Sequence, residues 1–348
     1  MPQLTSFDLR VPLPPAGDAP PGRELAASVY LPGESALAGR PPVLVLLPGN
    51  GYSRRYFDLD RPGFSQARHH AASGAVVFAI DHLGTGDSSL PEPAATLAET
   101  AAADDAAVSV LVGRLRAGTL DAGLPPVSPA AVVGAGHSLG GHILAAVQGR
   151  HRTFDGVAVI GASMTCAPIP LRPGTPAPFI PDGTPPEQAA LIALGSIDFN
   201  WVYHWEEFSA AEAGPDADEL ASLIAADIAA GLPMRTSAPP WGTLAVPAFG
   251  YDMMQPGLMA AEASGIDVPV LIAAGERDGC HPLAGEAAAY AAATDISLFT
   301  LARSAHMYNF AVTRAVLWNR LDEFVGYVTR ACARLSNVFH DREGFLSL

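Results

Sequence analysis

Six short runs of mostly Val, Ile, Leu and Ala punctuate the chain: PVLVLLP at 42–48, AVVFAID at 75–81, AAVVGAG at 130–136, GVAVIGA at 156–162, PVLIAAG at 269–275 and ISLFTLA at 296–302. Apolar runs of this length with little alternation are what strands covered on both faces look like. QLTSFDLRV and ELAASVYLP, nearer the N-terminus, alternate instead and are separated by a Pro/Gly-rich link, which predicts an antiparallel pair. Helical patterns occupy about 56–73, 96–117, 139–150, 282–293 and 309–334. Strand and helix in alternation imply a mostly parallel sheet of roughly eight strands with right-handed crossovers and helices on both faces. The ligand site is expected at the carboxyl ends of the strands.

The alternation breaks between about 163 and 265. CAPIPLRPGTPAPFIPDGTPP is too rich in proline for regular structure. EQAALIAL, IDFNWVYHWEEF and DADELASLIAADIAAG then predict three helices, the last opened by Asp and closed by Gly. The pattern is that of an insertion between two strands of one sheet: a core over 1–162, an inserted cap over 163–265, and the core resumed over 266–348.

Composition narrows the function. A chain of 348 residues buries most of its apolar surface and needs no disulfide or metal to fold. Its 35 acidic residues against 20 basic ones give a formal net charge of −15, which repels polyanions and argues against a nucleic-acid partner. Cys166, Cys280 and Cys332 are odd in number and far apart, with no CxxC pair, as fits a reducing compartment. The first residues lack the pattern of a signal peptide, and no stretch approaches the roughly 20 apolar residues of a membrane span. A soluble cytoplasmic protein with no membrane partner is expected, and a homodimer stays open.

The candidate chemistry centres on Ser138, within Gly136-His137-Ser138-Leu139-Gly140 and followed by Gly141. The G-x-S-x-G pattern stands where an apolar strand gives way to a helix, and a nucleophile at such a turn needs glycine on either side to avoid collision. A serine hydroxyl needs a base, and the base an orienting acid. ERDGCHP, after the PVLIAAG strand, offers Asp278, with Glu276 as substitute; RSAHMYNF, after ISLFTLA, offers His306, with His281 as its competitor. His137 and His142 are expected to point into the core or along the helix, and His69-His70 to be an exposed helix pair. Nothing has metal-ligand spacing, so no metal and no cofactor are expected. A dinucleotide turn does not fit GAGHSLG, whose third glycine comes one residue late for G-x-G-x-x-G.

GHSLGG, GERD and SAHMYNF, in that order, resemble the α/β-hydrolase family over roughly 40–165 and 266–315. DHLGTGDSS resembles the D-x-x-G-x-G-x-S loop that follows the fourth strand in many members. LLPGNG stands where the family usually has His-Gly after the third strand, with Pro48 in place of the histidine. The resemblance implies an α/β-hydrolase fold with a helical cap and a triad of Ser138, Asp278 and His306. It also implies an oxyanion hole made by the backbone N–H groups of Asn50, or alternatively Gly51, and Leu139. A nucleophilic Asp is excluded because the elbow holds Ser.

The expected activity is a serine hydrolase cleaving an ester or lactone. C–C bond hydrolysis, thioester hydrolysis and cofactor-free perhydrolysis reuse the same constellation and stay open, as does a non-catalytic binding protein on the same scaffold. The insertion is dense in aromatic and Met residues and has no Arg or Lys between Arg172 and Arg235. Trp201, Tyr203, Trp205, Phe249, Met253 and Met254 are expected to line a roomy apolar pocket for a bulky, uncharged, hydrophobic substrate.

Overall fold

Eight strands form one sheet in the computed structural model, which describes all residues except 1–3, 16–20, 166–168, 177, 182, 186, 187, 189–191, 193, 194, 232–234, 256 and 346–348. The strands are β1 (Thr5–Pro12), β2 (Glu24–Leu31), β3 (Val43–Leu47), β4 (Val76–Ile80), β5 (Val132–His137), β6 (Gly156–Ile160), β7 (Val270–Arg277) and β8 (Ile296–Ala305). Their order across the sheet is β1-β2-β4-β3-β5-β6-β7-β8. β2 runs antiparallel to both β1 and β4, and every other pairing is parallel.

Five of the apolar runs, β3 to β7, lack alternation because both faces of the sheet are covered there, whereas β8 at the sheet edge leaves Ile296 and Leu298 exposed. Val43, Val45 and Leu47 of β3 belong to one core cluster, and Leu44 and Leu46 to the other. The first cluster is closed by α3 (Leu97–Ala117), through Val108, Leu111 and Leu115, and by α4 (Leu139–His151), through Ile143, Leu144 and Val147. The second is closed by α2 (Gln66–Ala72) and by the long C-terminal helix (Arg314–Phe345), through Leu317, Leu321 and Phe324. A short α1 (Glu34–Ala38) precedes β3. α3 starts on a capping box, Thr96 with Glu99, and ends on Gly118 at φ 67°, so its boundaries are written in the sequence.

The helical pattern at 56–73 divides into a 3₁₀ turn at Arg54–Phe57 and α2, because Pro62 and Gly63 (φ 78°) turn the chain between them. His70 is no exposed residue: its Nδ1 meets Asp322 Oδ1 at 2.5 Å, and it is fully buried between α2 and the C-terminal helix. Between β6 and β7, IDFNWVYHWEEF is helical only at α5 (Phe199–Tyr203) and continues extended from His204. EQAALIAL lies mostly outside the described residues. After α6 (Ala210–Ala213), the third expected helix forms as α7 (Ala217–Ala229), burying Leu220, Leu223 and Ile224, and with them Asp227. α8 (Ala260–Ser264) leads into β7, α9 (Leu283–Ala287) follows it, and the C-terminal helix is α10. The 282–293 pattern stops being helical at Ala287 and continues in turns that bring Tyr290 into the core. No helix among the described residues is long and apolar enough to cross a membrane.

Candidate active site

β5 ends at His137 and α4 begins at Leu139, so Ser138 alone makes the turn, at φ 55° and ψ −122°. That backbone is strained for a residue with a side chain, and strain of this kind persists only where the surroundings impose it. A Cβ on Gly136 would lie 2.3 Å from Gly140 O, and one on Gly140 would lie 2.3 Å from Leu47 O. The two glycines are therefore set by close backbone approach.

β7 and β8 bring two more groups to the same point. His306 Nε2 lies 2.9 Å from Ser138 Oγ, and His306 Nδ1 lies 2.8 Å from Asp278 Oδ1, which also accepts from Gly279 N at 2.7 Å. Burial alone pushes the Asp278 carboxyl up, but the adjacent His306 and the Gly279 amide outweigh it and hold the group below its ordinary range. The substitutes are used elsewhere: Glu276 accepts from Arg303 N at 2.8 Å, and His281 Nε2 faces Gly275 O at 2.7 Å.

His137 is buried and stacked on Tyr56, with ring centroids 5.4 Å apart. Its Nε2–H donates to the backbone O of His306 at 2.9 Å, so it holds the loop that carries His306. Burial, helped by the neighbouring His306, lowers its pKa to about 3. Unfolded, the imidazole titrates near ~6.5. Between those values the unfolded chain binds a proton that the fold does not, so stability falls as pH falls, by up to ~1.4 kcal/mol per pH unit from this group. In urea unfolding, the stability gap between wild type and His137→Asn should therefore narrow from pH 7.5 to pH 5. A gap that stays constant would show that His137 titrates alike in both states.

Residues 49–52 form a turn closed by Tyr52 N–H donating to Gly49 O at 3.2 Å, with Gly51 at φ 74°. That closure leaves the Asn50 N–H outside the turn. Leu139 is the first residue of α4, where an N–H has no acceptor within the helix. A Cβ on Gly49 would lie 2.9 Å from Ser138 Cβ, so the turn runs directly beside the serine.

Ser138 and His306 open into a cavity of about 120 Å³, walled by His142, Ile169, Val202, Tyr203 and Met253 among others. Tyr203 stacks on His306 with centroids 5.2 Å apart. Of the expected pocket residues, Tyr203 and Met253 are at the cavity, and three are not. Trp201 and Trp205 hold the Arg277 guanidinium, 4.4 and 4.6 Å from their ring centres, in a cation–π clamp that fixes the inserted segment to β7. Phe249 is buried in the core cluster. The Met254 side chain lies outside the described part of the structure. The space at Ser138 is consequently smaller than the aromatic content of the insertion suggests.

His69, His70 and Asp322 are the one group among the described residues whose ligand atoms could hold a metal ion, and none of them lines the Ser138 cavity.

Residues 44–317 match the model of the alpha/beta hydrolase family. No curated protein sequence matches the chain. Among solved structures, a thermophilic esterase from Thermogutta terrifontis is similar with a TM-score of 0.56 at 17% identity, over 93% of this chain and 99% of that one. An N-acyl homoserine lactone degrading enzyme is similar at 0.52 and 18% identity, over 90% and 98%. Proline iminopeptidase from Mycobacterium smegmatis gives 0.55 at 16% identity, over 93% and 99%. At such identities the likeness establishes the fold, which hosts many chemistries.

Proposed function

The chain belongs to the alpha/beta hydrolase family, and within it we propose that it is a serine hydrolase that cleaves an uncharged carboxylic ester or lactone through an acyl-enzyme on Ser138. The observation that carries this reading is the continuous relay from Ser138 Oγ through His306 to Asp278, with contacts of 2.9 and 2.8 Å. His306 Nε2 takes the hydroxyl proton as Ser138 Oγ attacks the carbonyl carbon. Asp278 holds the imidazole by Nδ1–H and stabilises the imidazolium. The N–H groups of Asn50 and Leu139 receive the charge that develops on the carbonyl oxygen. His306 then protonates the leaving alcohol, and in the second half it deprotonates the water that releases the acid.

The inserted segment acts as the cap of this site, since Val202, Tyr203 and Met253 wall the cavity over Ser138. Among the described residues those walls are largely apolar and carry no Arg or Lys, which favours an uncharged group. An ester or lactone also suits the names of two neighbours in fold, an esterase and a lactone-degrading enzyme. Size is bounded by the cavity: an apolar hole of about 150 Å³ holds a benzene, so 120 Å³ accommodates an acyl group of roughly four or five carbons. Across p-nitrophenyl esters, kcat/KM should rise from acetate to about butyrate or pentanoate, by at most ~0.8 kcal/mol per methylene, and then fall. Measured beside a lactone series, this tests the proposal: turnover of neither class would refute it, and a rise continuing to decanoate would move the acyl chain out of this cavity.

A further inference from the structure

The inserted segment touches the nucleophile's neighbourhood at a second place, where a buried carboxylate has collected four partners. Asp227, fully buried on α7, accepts from Tyr52 Oη at 2.5 Å, from Trp241 Nε1 at 2.7 Å and from Arg235 Nη2 at 2.8 Å. His204 Nε2 lies 3.1 Å from Oδ2, the same oxygen that accepts from Tyr52. Burial would raise this carboxyl, but His204, Arg235 and Tyr52 more than reverse it and lower it to about 2. Arg235 does not spend its charge on Asp227 alone. Its Nε donates to Gly51 O at 2.6 Å, its Cζ lies 4.6 Å from the centre of the Tyr52 ring, and the same Gly51 O accepts from Thr243 N at 3.1 Å.

Gly51 belongs to the turn that presents the Asn50 N–H. The opposite end of that turn is held in the same manner from the core. His82 Nε2 faces Pro48 O at 3.0 Å, and His82 Nδ1 meets Asp104 Oδ2 at 2.6 Å, both residues being buried. Gly49 O is taken by Tyr52 N. The Pro48, Gly49 and Gly51 carbonyls thus each have a donor, and two of those donors, His82 and Arg235, are backed by a buried aspartate. Each peptide plane is rigid, so fixing the Gly51 carbonyl fixes the Tyr52 N–H, which in turn holds Gly49 O, and the Gly49 carbonyl shares its plane with the Asn50 N–H. The hub also reaches the base: His204 follows Val202 and Tyr203, whose carbonyls accept from His306 N at 2.9 Å and Met307 N at 2.8 Å.

We infer that Arg235, backed by Asp227, is a positioning residue for the oxyanion hole: the inserted segment aims the Asn50 N–H by fixing the Gly51 carbonyl. This rests on the serine-hydrolase reading above. Donors in such a hole act on charge present only in the transition state, so a misaimed donor lowers kcat with little change in substrate affinity.

The test compares wild type with Arg235→Met and Arg235→Lys on p-nitrophenyl butyrate, with thermal unfolding recorded for each and a trifluoromethyl ketone as transition-state probe. Loss of a complete oxyanion donor costs about 10²–10³ in kcat, so a misaimed one should cost about 10–100-fold. Arg235→Met is expected to fall in that range with KM within about threefold, and its Ki for the ketone should rise by the same factor as kcat/KM falls. Arg235→Lys keeps a cation beside Asp227 but cannot bridge to Gly51 as the planar fork does, so it should fold, and it should lose kcat by about 10-fold. Should Arg235→Met fail to fold, the lysine variant decides. Folded Arg235→Lys with kcat and ketone Ki within twofold of wild type overturns the inference. Wild type without ester turnover overturns instead the serine-hydrolase reading on which it rests.

Discussion

Ser138→Ala is expected to lower kcat on p-nitrophenyl butyrate by roughly five to six orders of magnitude, the scale seen where nucleophile and base act as a unit. His306→Ala should cost about as much, and the double variant scarcely more. The reason is geometric. A serine hydroxyl is a poor nucleophile at neutral pH, and its one base lies 2.9 Å away. Removing either partner removes the same step, so the two losses do not add. What survives is the contribution of the oxyanion donors and of substrate binding. Acid should also slow the reaction, because a protonated His306 cannot accept from Ser138. A His306→Ala variant near wild-type activity, with His281→Ala inactive, would give the role of base to a residue that here faces Gly275 O.

Asp278→Asn should reduce kcat by about 10⁴-fold while leaving the fold intact. The carboxylate accepts from His306 Nδ1 at 2.8 Å and so fixes the tautomer in which Nε2 is free to accept from Ser138. An amide of the same shape can turn its NH₂ towards Nδ1. The ring then carries its proton on Nε2, facing the hydroxyl it should deprotonate. The buried negative charge that stabilises the imidazolium is lost as well. Glu276→Gln should leave kcat within about twofold, since its side chain is exposed and tied to Arg303 N. Steady-state kinetics with circular dichroism on both variants checks this. A severe loss in Glu276→Gln beside a mild one in Asp278→Asn would reverse the assignment.

Five of the six apolar runs became strands because a doubly covered strand needs apolar side chains on both faces, and few other elements tolerate so short and dense a run; the sixth forms the partly exposed edge strand β8. The elbow was legible for a related reason. Gly136 and Gly140 are forced because a Cβ at either would lie 2.3 Å from a backbone oxygen, and such constraints leave a fixed spacing in the sequence. The inserted segment was not legible in the same way. Tryptophan content says nothing of what a ring faces, and Trp201 and Trp205 are used by Arg277, a residue of β7 more than 70 positions away. The helical spacing did carry one overlooked signal: Leu220, Leu223, Ile224 and Asp227 share the buried face of α7, and a carboxylate on an apolar stripe needs partners. Those partners could not be named from it. Arg235 meets Gly51 across 184 positions, a distance at which no local pattern constrains the pairing.

The central claim is that Ser138 is a nucleophile activated by His306. Intact-mass analysis after brief exposure to a fluorophosphonate, with peptide mapping of the adduct, tests it most directly. The wild-type chain should gain one adduct, on Ser138; Ser138→Ala should gain none, and His306→Ala should react far more slowly. A wild-type chain that stays unlabelled, or that carries its adduct on another residue, would contradict the account.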